Sequence, residues 1–385
     1  MTDETNRRNA QIDSLRALAL AGVIVMNLMT FSGLAYLTPE MRAEVLGTAD
    51  QIAWEMLRIL IDEKALAAFS FMFGFSFSVI MRRALSVHDA AARFVRRLLV
   101  LFLIGLFNAL FLFWADILMS YALLGLMLPF AARLPTAWIA RLGLLLLLVG
   151  PVIVAIGGYG VTSAVPRGHI DSLDAYASPQ VSDMVRQNWH MLRNASEGAD
   201  GILILRFFQL AGLFLLGLAA GRSGALMALA GDRQRLLRLG LAFTLAGLAM
   251  ALAARYLVAP QGVWAMLKLE SPVMALGYLM LIGAAMTSPS AGWICRSLAP
   301  LGRMTLTGYL MTALCGQLLF YGWGMGLIGK VGTLGVLGIA TALFLGLMLF
   351  ARIWLRCFSI GPWEWFWRYL TEIQAVSAAG NGVAR

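Results

Sequence analysis

Charge is what this sequence has least of. Asp, Glu, Lys and Arg make up 13% of 385 residues, against 60% hydrophobic residues and a mean hydropathy of +0.79. That balance excludes a soluble globular domain. Cysteine is scarce too, and Cys295, Cys315 and Cys357 show no metal-ligand spacing. They read as small apolar fillers, so neither a metal nor a disulfide is expected. Alternating polarity is absent: the runs Leu98 to Phe113 and Leu144 to Val154 are apolar on nearly every side, which excludes the strands of a membrane β-barrel. No small-residue cleavage site follows the first apolar run, which therefore reads as a permanent span rather than a signal peptide. Repeats, low-complexity tracts and interdomain linkers are missing as well, so residues 1–385 read as a single polytopic domain.

What is present is a series of apolar runs, each long enough to cross about 30 Å of hydrocarbon as a helix. The sequence predicts an all-α integral membrane protein of about ten spans, near residues 14–34, 65–82, 97–114, 116–132, 137–157, 201–221, 236–254, 271–288, 301–323 and 331–353. Ile52 to Ile61 is short and carries Glu55 and Arg58, and reads as an interfacial helix leading into the second span. Arginines sort by loop: Arg7 and Arg8, Arg93 to Arg97, Arg133, Arg222, Arg233 to Arg238, Arg303 and Arg356 fall on one side of a ten-span arrangement. By the positive-inside rule that side is cytoplasmic and holds both termini, including a C-terminal segment 354–385, in a bacterial inner membrane. The net charge of +10 then reflects topology and anionic lipid, and no nucleic acid partner is expected. A long extracytoplasmic loop, 158–200, holds His169, His190 and Trp189. It reads either as a lid or substrate-recognition element or as a solvated connection.

Polar groups that enter the membrane are the informative ones, because each requires a partner, a cavity or water. Asp13 and Arg16 lie one turn apart at the cytoplasmic end of the first span, with Asn27 about three turns deeper on the same stripe. Either Arg16 holds a phosphate-bearing cofactor, or the two residues simply pair at a helix start. Asp116 begins the fourth span, as a cap or as a general base. Arg206 and Gln209 either snorkel or line an outer vestibule that binds substrate. Tyr309, Thr305, Thr307 and Gln317 read as interhelical packing groups. Glu364 and Arg368, in the cluster Trp363-Glu-Trp-Phe-Trp-Arg368, read as a helix-surface pair within a structural lock, or with Arg303 as a closure over a cofactor site.

Several segments carry a family resemblance. Arg8 with Ile12-Asp-Ser-Leu-Arg16 and on to Asn27, Lys64 with Phe69-Ser-Phe-Met-Phe-Gly-Phe75, and Asp116-Ile-Leu with Tyr121-Ala-Leu come first. Gly302-Arg-Met-Thr-Leu-Thr-Gly-Tyr-Leu310, Phe320-Tyr-Gly322 and Gly361-Pro-Trp-Glu-Trp365 follow. In this order they resemble the YeiB-like DUF418 membrane proteins. The first helix of that family is similar to those of transmembrane acyltransferases, including the lysosomal enzyme that acetylates heparan glucosamine. The resemblance implies that Asp13, Arg16 and Arg303 face an acyl donor such as acetyl-CoA or another acyl-CoA, with Asn27 deeper in the transfer path. One departure stands out. Related proteins often carry Gly-x-x-His in the third span, where this chain reads Gly105-Leu-Phe-Asn108. Asp116, His169 and His190 remain as candidate catalytic groups. The expected function is transfer of an acyl group from a cytoplasmic acyl-CoA-like donor to an extracytoplasmic sugar, glycan or lipid, by an O- or N-acyltransferase surrounded by membrane lipid. The alternative is a small-molecule transporter or exporter. Against it, the two halves show no matched pair of spans broken by Gly or Pro.

Overall fold

The computed structural model describes residues 2–83, 87–157, 172–197, 201–224, 232–257, 261–288 and 291–380, and every regular element among them is a helix. Eight stretches are long and apolar enough to cross a membrane: Ala10–Phe31, Thr48–Met81, Ala91–Phe111, Thr136–Gly157, Leu203–Ser223, Arg233–Tyr256, Val263–Met286 and Thr333–Cys357. Two shorter apolar helices, Leu118–Ala131 and Thr305–Phe320, accompany them. Their outward faces carry large apolar side chains, with Leu103, Leu349 and Leu345 each more than half exposed. Such a surface is stable in lipid and not in water. The chain is a multi-pass membrane protein.

In order the helices are α1 (Thr2–Phe31), α2 (Pro39–Val45), α3 (Thr48–Leu60), α4 (Lys64–Arg83), α5 (Val87–Phe111), α6 (Leu118–Gly125), α7 (Met127–Ala131), α8 (Thr136–Gly157) and α9 (Ser172–Ala177). They continue with α10 (Val181–Glu197), α11 (Gly201–Ser223), α12 (Arg233–Tyr256), α13 (Gln261–Leu267), α14 (Glu270–Met286), α15 (Gly292–Gly302), α16 (Thr305–Phe320), α17 (Thr333–Cys357) and α18 (Pro362–Gly380). Local chemistry sets several starts. Pro39 opens α2 while the Thr38 hydroxyl accepts from Met41 N, and the Asp232 carboxylate accepts from Arg235 N ahead of α12, both ordinary N-caps.

Small residues let the backbones approach, as association in lipid requires. The backbone of Gly302 touches the Asp13 carbonyl, with no room for a Cβ; Gly308 packs on Leu20 and Gly316 on Phe31. Helix α16 therefore runs beside α1 in the same direction, while α15 crosses α1 at Asp13 and Ser14. Gly74 and Gly217 set α4 against α11, and Gly240, Gly247 and Gly277 set α12 against α14. The expected span 301–323 is α16, which starts at Thr305 after a turn through Arg303 that separates it from α15.

At the Phe31 end, α9 and α10 pack as a cap. Asn188 Nδ2 donates to the Leu110 carbonyl (3.0 Å), and Gly322 N donates to the Tyr176 carbonyl (2.9 Å). Tyr176 stacks on Tyr321 with ring centroids 4.7 Å apart. At the opposite end, near Asp13, α18 folds back across the bundle, and Trp367 Nε1 donates to the Arg97 carbonyl (2.8 Å).

Candidate functional site

Polar groups collect at three levels of the bundle. The first is the Asp13 end. Arg16 pairs with Asp13 at 3.0 Å and also donates to Ser76 Oγ of α4 at 2.5 Å. The close packing of Gly302 brings Arg303 near enough for its charge to act on Asp13. Arg303 also donates to the Ser359 carbonyl (2.8 Å). Ser359 in turn lines an apolar groove of about 840 Å³ with Val100, Ile104, Trp354, Trp363 and Phe366. Three of the four residues expected to hold a cofactor are thus together. Asn27 is not: it lies eleven residues further along α1, about 16 Å by helix rise, and its Nδ2 is buried without a partner.

Glu364 makes no ion pair with Arg368. Its Oε1 accepts from the backbone N–H groups of Leu306 (2.8 Å) and Thr307 (3.1 Å), and its Oε2 from Thr307 Oγ1 (2.5 Å). A carboxylate there satisfies the open first turn of α16 and suits its dipole. The contact fastens α18 to the bundle, so the lock is built on a helix start rather than on a surface pair. Burial pushes the Glu364 carboxyl up from its ordinary range, against the pull of these hydrogen bonds.

The second level is Asp116, in the turn between α5 and α6. Its Oδ1 accepts from Asn108 Nδ2 (2.8 Å) and from the Tyr309 hydroxyl (3.3 Å), and its Oδ2 from Met119 N (2.8 Å). Tyr309 itself accepts from Ile117 N (3.3 Å). The carboxylate caps α6, as one reading of the sequence allows, and also ties α5 and α16 to it. Gly105 makes room: a Cβ there would lie 2.7 Å from Asp116 Oδ2. Asn108 Oδ1 is buried and has no partner. Close by, the Tyr121 hydroxyl shares a 2.8 Å hydrogen bond with Ser70 Oγ. His190 and Trp189 are exposed on α10, and His190 is not among the groups bonded to Asp116. His169 lies outside the described residues. Among the described residues no group of three or more His, Cys, Asp or Glu side chains is placed to hold a metal ion.

The third level was missed by reasoning from residues alone. Spans break between α3 and α4, at Ile61–Glu63, and between α13 and α14, at Lys268–Leu269. Lys64 pairs with Glu270 across the two breaks at 3.2 Å, both side chains buried. Arg206 pairs with Glu63 at 3.2 Å, and Gln209 Nε2 donates to the Lys268 carbonyl (2.9 Å). Arg206 and Gln209, expected to bind substrate, therefore belong to a charged layer rather than to free headgroup contacts, and exposed Trp189 is not part of it. The one signal in the sequence was Lys64 itself, set inside a family motif at the head of an apolar run.

Comparison with known proteins gives the chain a family. The chain is 31% identical over 395 residues to the uncharacterized protein YxaH of Bacillus subtilis (strain 168), covering 96% of this chain and 95% of that one. It is 29% identical over 410 residues to the uncharacterized protein YeiB of Escherichia coli (strain K12), covering 98% and 99%. An uncharacterized 39.9 kDa protein in the amylase 3' region of Bacillus acidopullulyticus is 25% identical over 377 residues, covering 95% and 94%. No solved structure matches the chain. Residues 220–374 match the family model described as a protein of unknown function, DUF418. With relatives aligned along nearly its whole length, the chain belongs to the YeiB-like DUF418 family of membrane proteins.

Proposed function

We propose that this protein transfers an acyl group across a bacterial inner membrane, from a cytoplasmic acyl-CoA-like donor to a hydroxyl or amine acceptor on the far side. The single observation that carries the reading is Asp116. A carboxylate held inside an apolar bundle by Asn108 and Tyr309 is costly to keep and marks chemistry by default. In this reading the two shorter apolar helices complete ten spans, and the sorted arginines put both termini and the Asp13 end in the cytoplasm.

Arg16 and Arg303 then face the phosphates of the donor, which guanidinium groups match in geometry as well as charge. The groove beside Ser359 receives the acyl chain when it is longer than acetyl. Tyr309 follows the turn at Arg303 by six residues, at the start of α16, so the carboxylate it holds lies toward the donor end of the bundle. The acceptor oxygen or nitrogen attacks the thioester carbonyl carbon and its proton passes to the Asp116 carboxylate. The C–S bond breaks, and the CoA thiolate takes that proton as it leaves. Asn108 and Tyr309 position the carboxylate. With His190 exposed away from this group, Asp116 is the base of the reading.

Binding of acetyl-CoA and longer acyl-CoAs to the purified protein, followed by thermal shift, tests it. A ligand that binds the folded state alone must stabilise it. A concentration-dependent rise that vanishes in Arg16→Ala, with label moving from acyl-CoA to an envelope acceptor in wild type and not in Asp116→Asn, is the expected result. No shift with any acyl-CoA at millimolar concentration overturns it.

One observation favours transport as a second reading. Two broken helices meet with paired charges between them, an arrangement from which membrane proteins build substrate sites near the midplane. Flux into proteoliposomes without acyl-CoA separates the two.

A further inference from the structure

The break between α3 and α4 lies deep. Ala65, just past it, faces Gly22, where a Cβ would come within 2.7 Å of the Ala65 Cβ, and Gly22 is near the middle of the Ala10–Phe31 stretch. Glu63 occupies a left-handed backbone conformation with φ 62°, the one non-glycine residue with positive φ among those described. Strain of this kind persists where a site over-determines it.

The charges around the breaks do not cancel. Asp62 pairs with Arg58, Glu63 with Arg206 and Glu270 with Lys64, which leaves Lys268. Its charge acts on Glu63 and Glu270, yet among the described residues it forms no ion pair, and its ammonium lies 4.7 Å from the centroid of the Trp264 ring. Three residues on, in the first turn of α14, Ser271 is 1% exposed and its hydroxyl has no partner. Ser271 shares a helical stripe with Ala275 and Tyr278. Ala275 packs with Ala67 and Ala68 of α4, and the Tyr278 hydroxyl donates to the Leu60 carbonyl (3.0 Å). The Ser271 hydroxyl is therefore aimed at the α3–α4 break. A cavity of about 280 Å³ opens on the same break, between α1, α4 and α14, lined by Lys64 and Tyr278 and otherwise by apolar groups such as Leu18, Val25, Leu60 and Ile282.

We propose that the paired helix breaks bind a small monocarboxylate with an apolar body, its carboxylate on Lys268, Ser271 and the first turn of α14, its hydrocarbon part in the cavity beside Lys64. One negative charge neutralises the one unmatched cation, whereas a dianion or a cation leaves the layer charged in a medium that penalises it. The N–H groups of Glu270 and Ser271, ahead of Pro272 which has none, complete the anion site at the start of α14. A lipid phosphate shares this chemistry, but headgroups lie about 15 Å from the bilayer midplane, and the α3–α4 break is level with the middle of the Ala10–Phe31 stretch. The inference is independent of acyl transfer.

Direct binding of tritiated octanoate to the full-length protein in phosphatidylcholine nanodiscs, without acyl-CoA, tests it. Saturable binding that octanoate displaces and octanol does not is expected. K268Q removes the charge from the hydrogen bond to the carboxylate and weakens binding about tenfold or more. K268R keeps the charge and retains binding, S271A weakens it, and Arg16→Ala leaves it unchanged. Gel filtration of each variant confirms that it is folded. Equal competition by octanol, or unaltered binding in a folded K268Q, overturns the proposal. So does occupancy that appears only when phosphatidylglycerol is added and that free octanoate cannot displace.

Discussion

Removing one member of the Lys64–Glu270 pair should cost far more than removing both. The pair is 3.2 Å long with side chains 2% and 7% exposed, so Lys64→Met strands a carboxylate among apolar helices. Breaking a buried ion pair from one side costs about 3–5 kcal/mol, whereas replacing both partners by uncharged groups is often near neutral. Lys268 stands close enough to act on Glu270, which moves the expected cost to the lower end. We expect about 3 kcal/mol for Lys64→Met, more than a hundredfold in the folded-to-unfolded ratio. Glu270→Gln should cost a similar amount, because it leaves the Lys64 ammonium unmatched. The double variant should be more stable than either single one, giving a coupling energy larger than either single cost and approaching their sum in a double-mutant cycle. Reversible unfolding of the detergent-solubilised protein by SDS titration reads all four corners. Additive costs, or a single-variant cost under about 1 kcal/mol, would refute the view that the breaks are joined by a buried ion pair rather than by a solvated one.

Four further outcomes follow from the same structure. Gly302→Ala forces a methyl into the Asp13 carbonyl and should destabilise the protein by about 1–3 kcal/mol, as over-packing does, while Gly47→Ala, where a Cβ meets nothing, should not; thermal unfolding compares them. Asp116→Asn keeps the volume and the link to Asn108 but removes the proton acceptor, and should lower acyl transfer at least about a hundredfold with little change in melting temperature. Glu364 has its carboxyl raised by burial, so the folded state favours the proton. Wild-type stability relative to Glu364→Gln should be greatest below the ordinary carboxylate range and fall as pH rises through the raised value, seen as a melting-temperature difference between about pH 4 and pH 8. Asn108→His places an imidazole against Asp116 and should add a limb near pH 6.5 to the pH–rate profile, an unchanged profile in a folded variant counting against Asp116 as the base.

Most of the spans could be read in the sequence, because apolar length is a local property: the second was placed at 65–82 and α4 is Lys64–Arg83, the seventh at 236–254 and α12 is Arg233–Tyr256. The Asp13–Arg16 pair was legible for the same reason, since both residues sit on one turn. Short or interrupted elements were not. The expected span 116–132 breaks at Leu126 into α6 and α7, and the chain before Thr305 turns at Arg303 rather than running straight from 301, in both cases through residues that are good helix formers by themselves. The breaks beside Lys64 and Glu270 were sought as Gly or Pro interruptions. One is made instead by Ile61-Asp-Glu63, where charges that find partners 143 and 206 residues away stabilise an interrupted helix; the other precedes Pro272, which has no N–H for the Lys268 carbonyl four residues back, and Gln209 takes that acceptor instead.

Position 108 shows how the two kinds of information combine. From the sequence it was a departure from a resemblance, an amide where a histidine is often found. In the structure that amide donates to Asp116 at 2.8 Å, while its own oxygen is buried without a partner. An amide holds a carboxylate in place but cannot accept its proton, and a histidine in the same position could do both. In the proposed transfer the proton therefore passes to Asp116 and not to position 108, whose amide only holds the carboxylate that receives it.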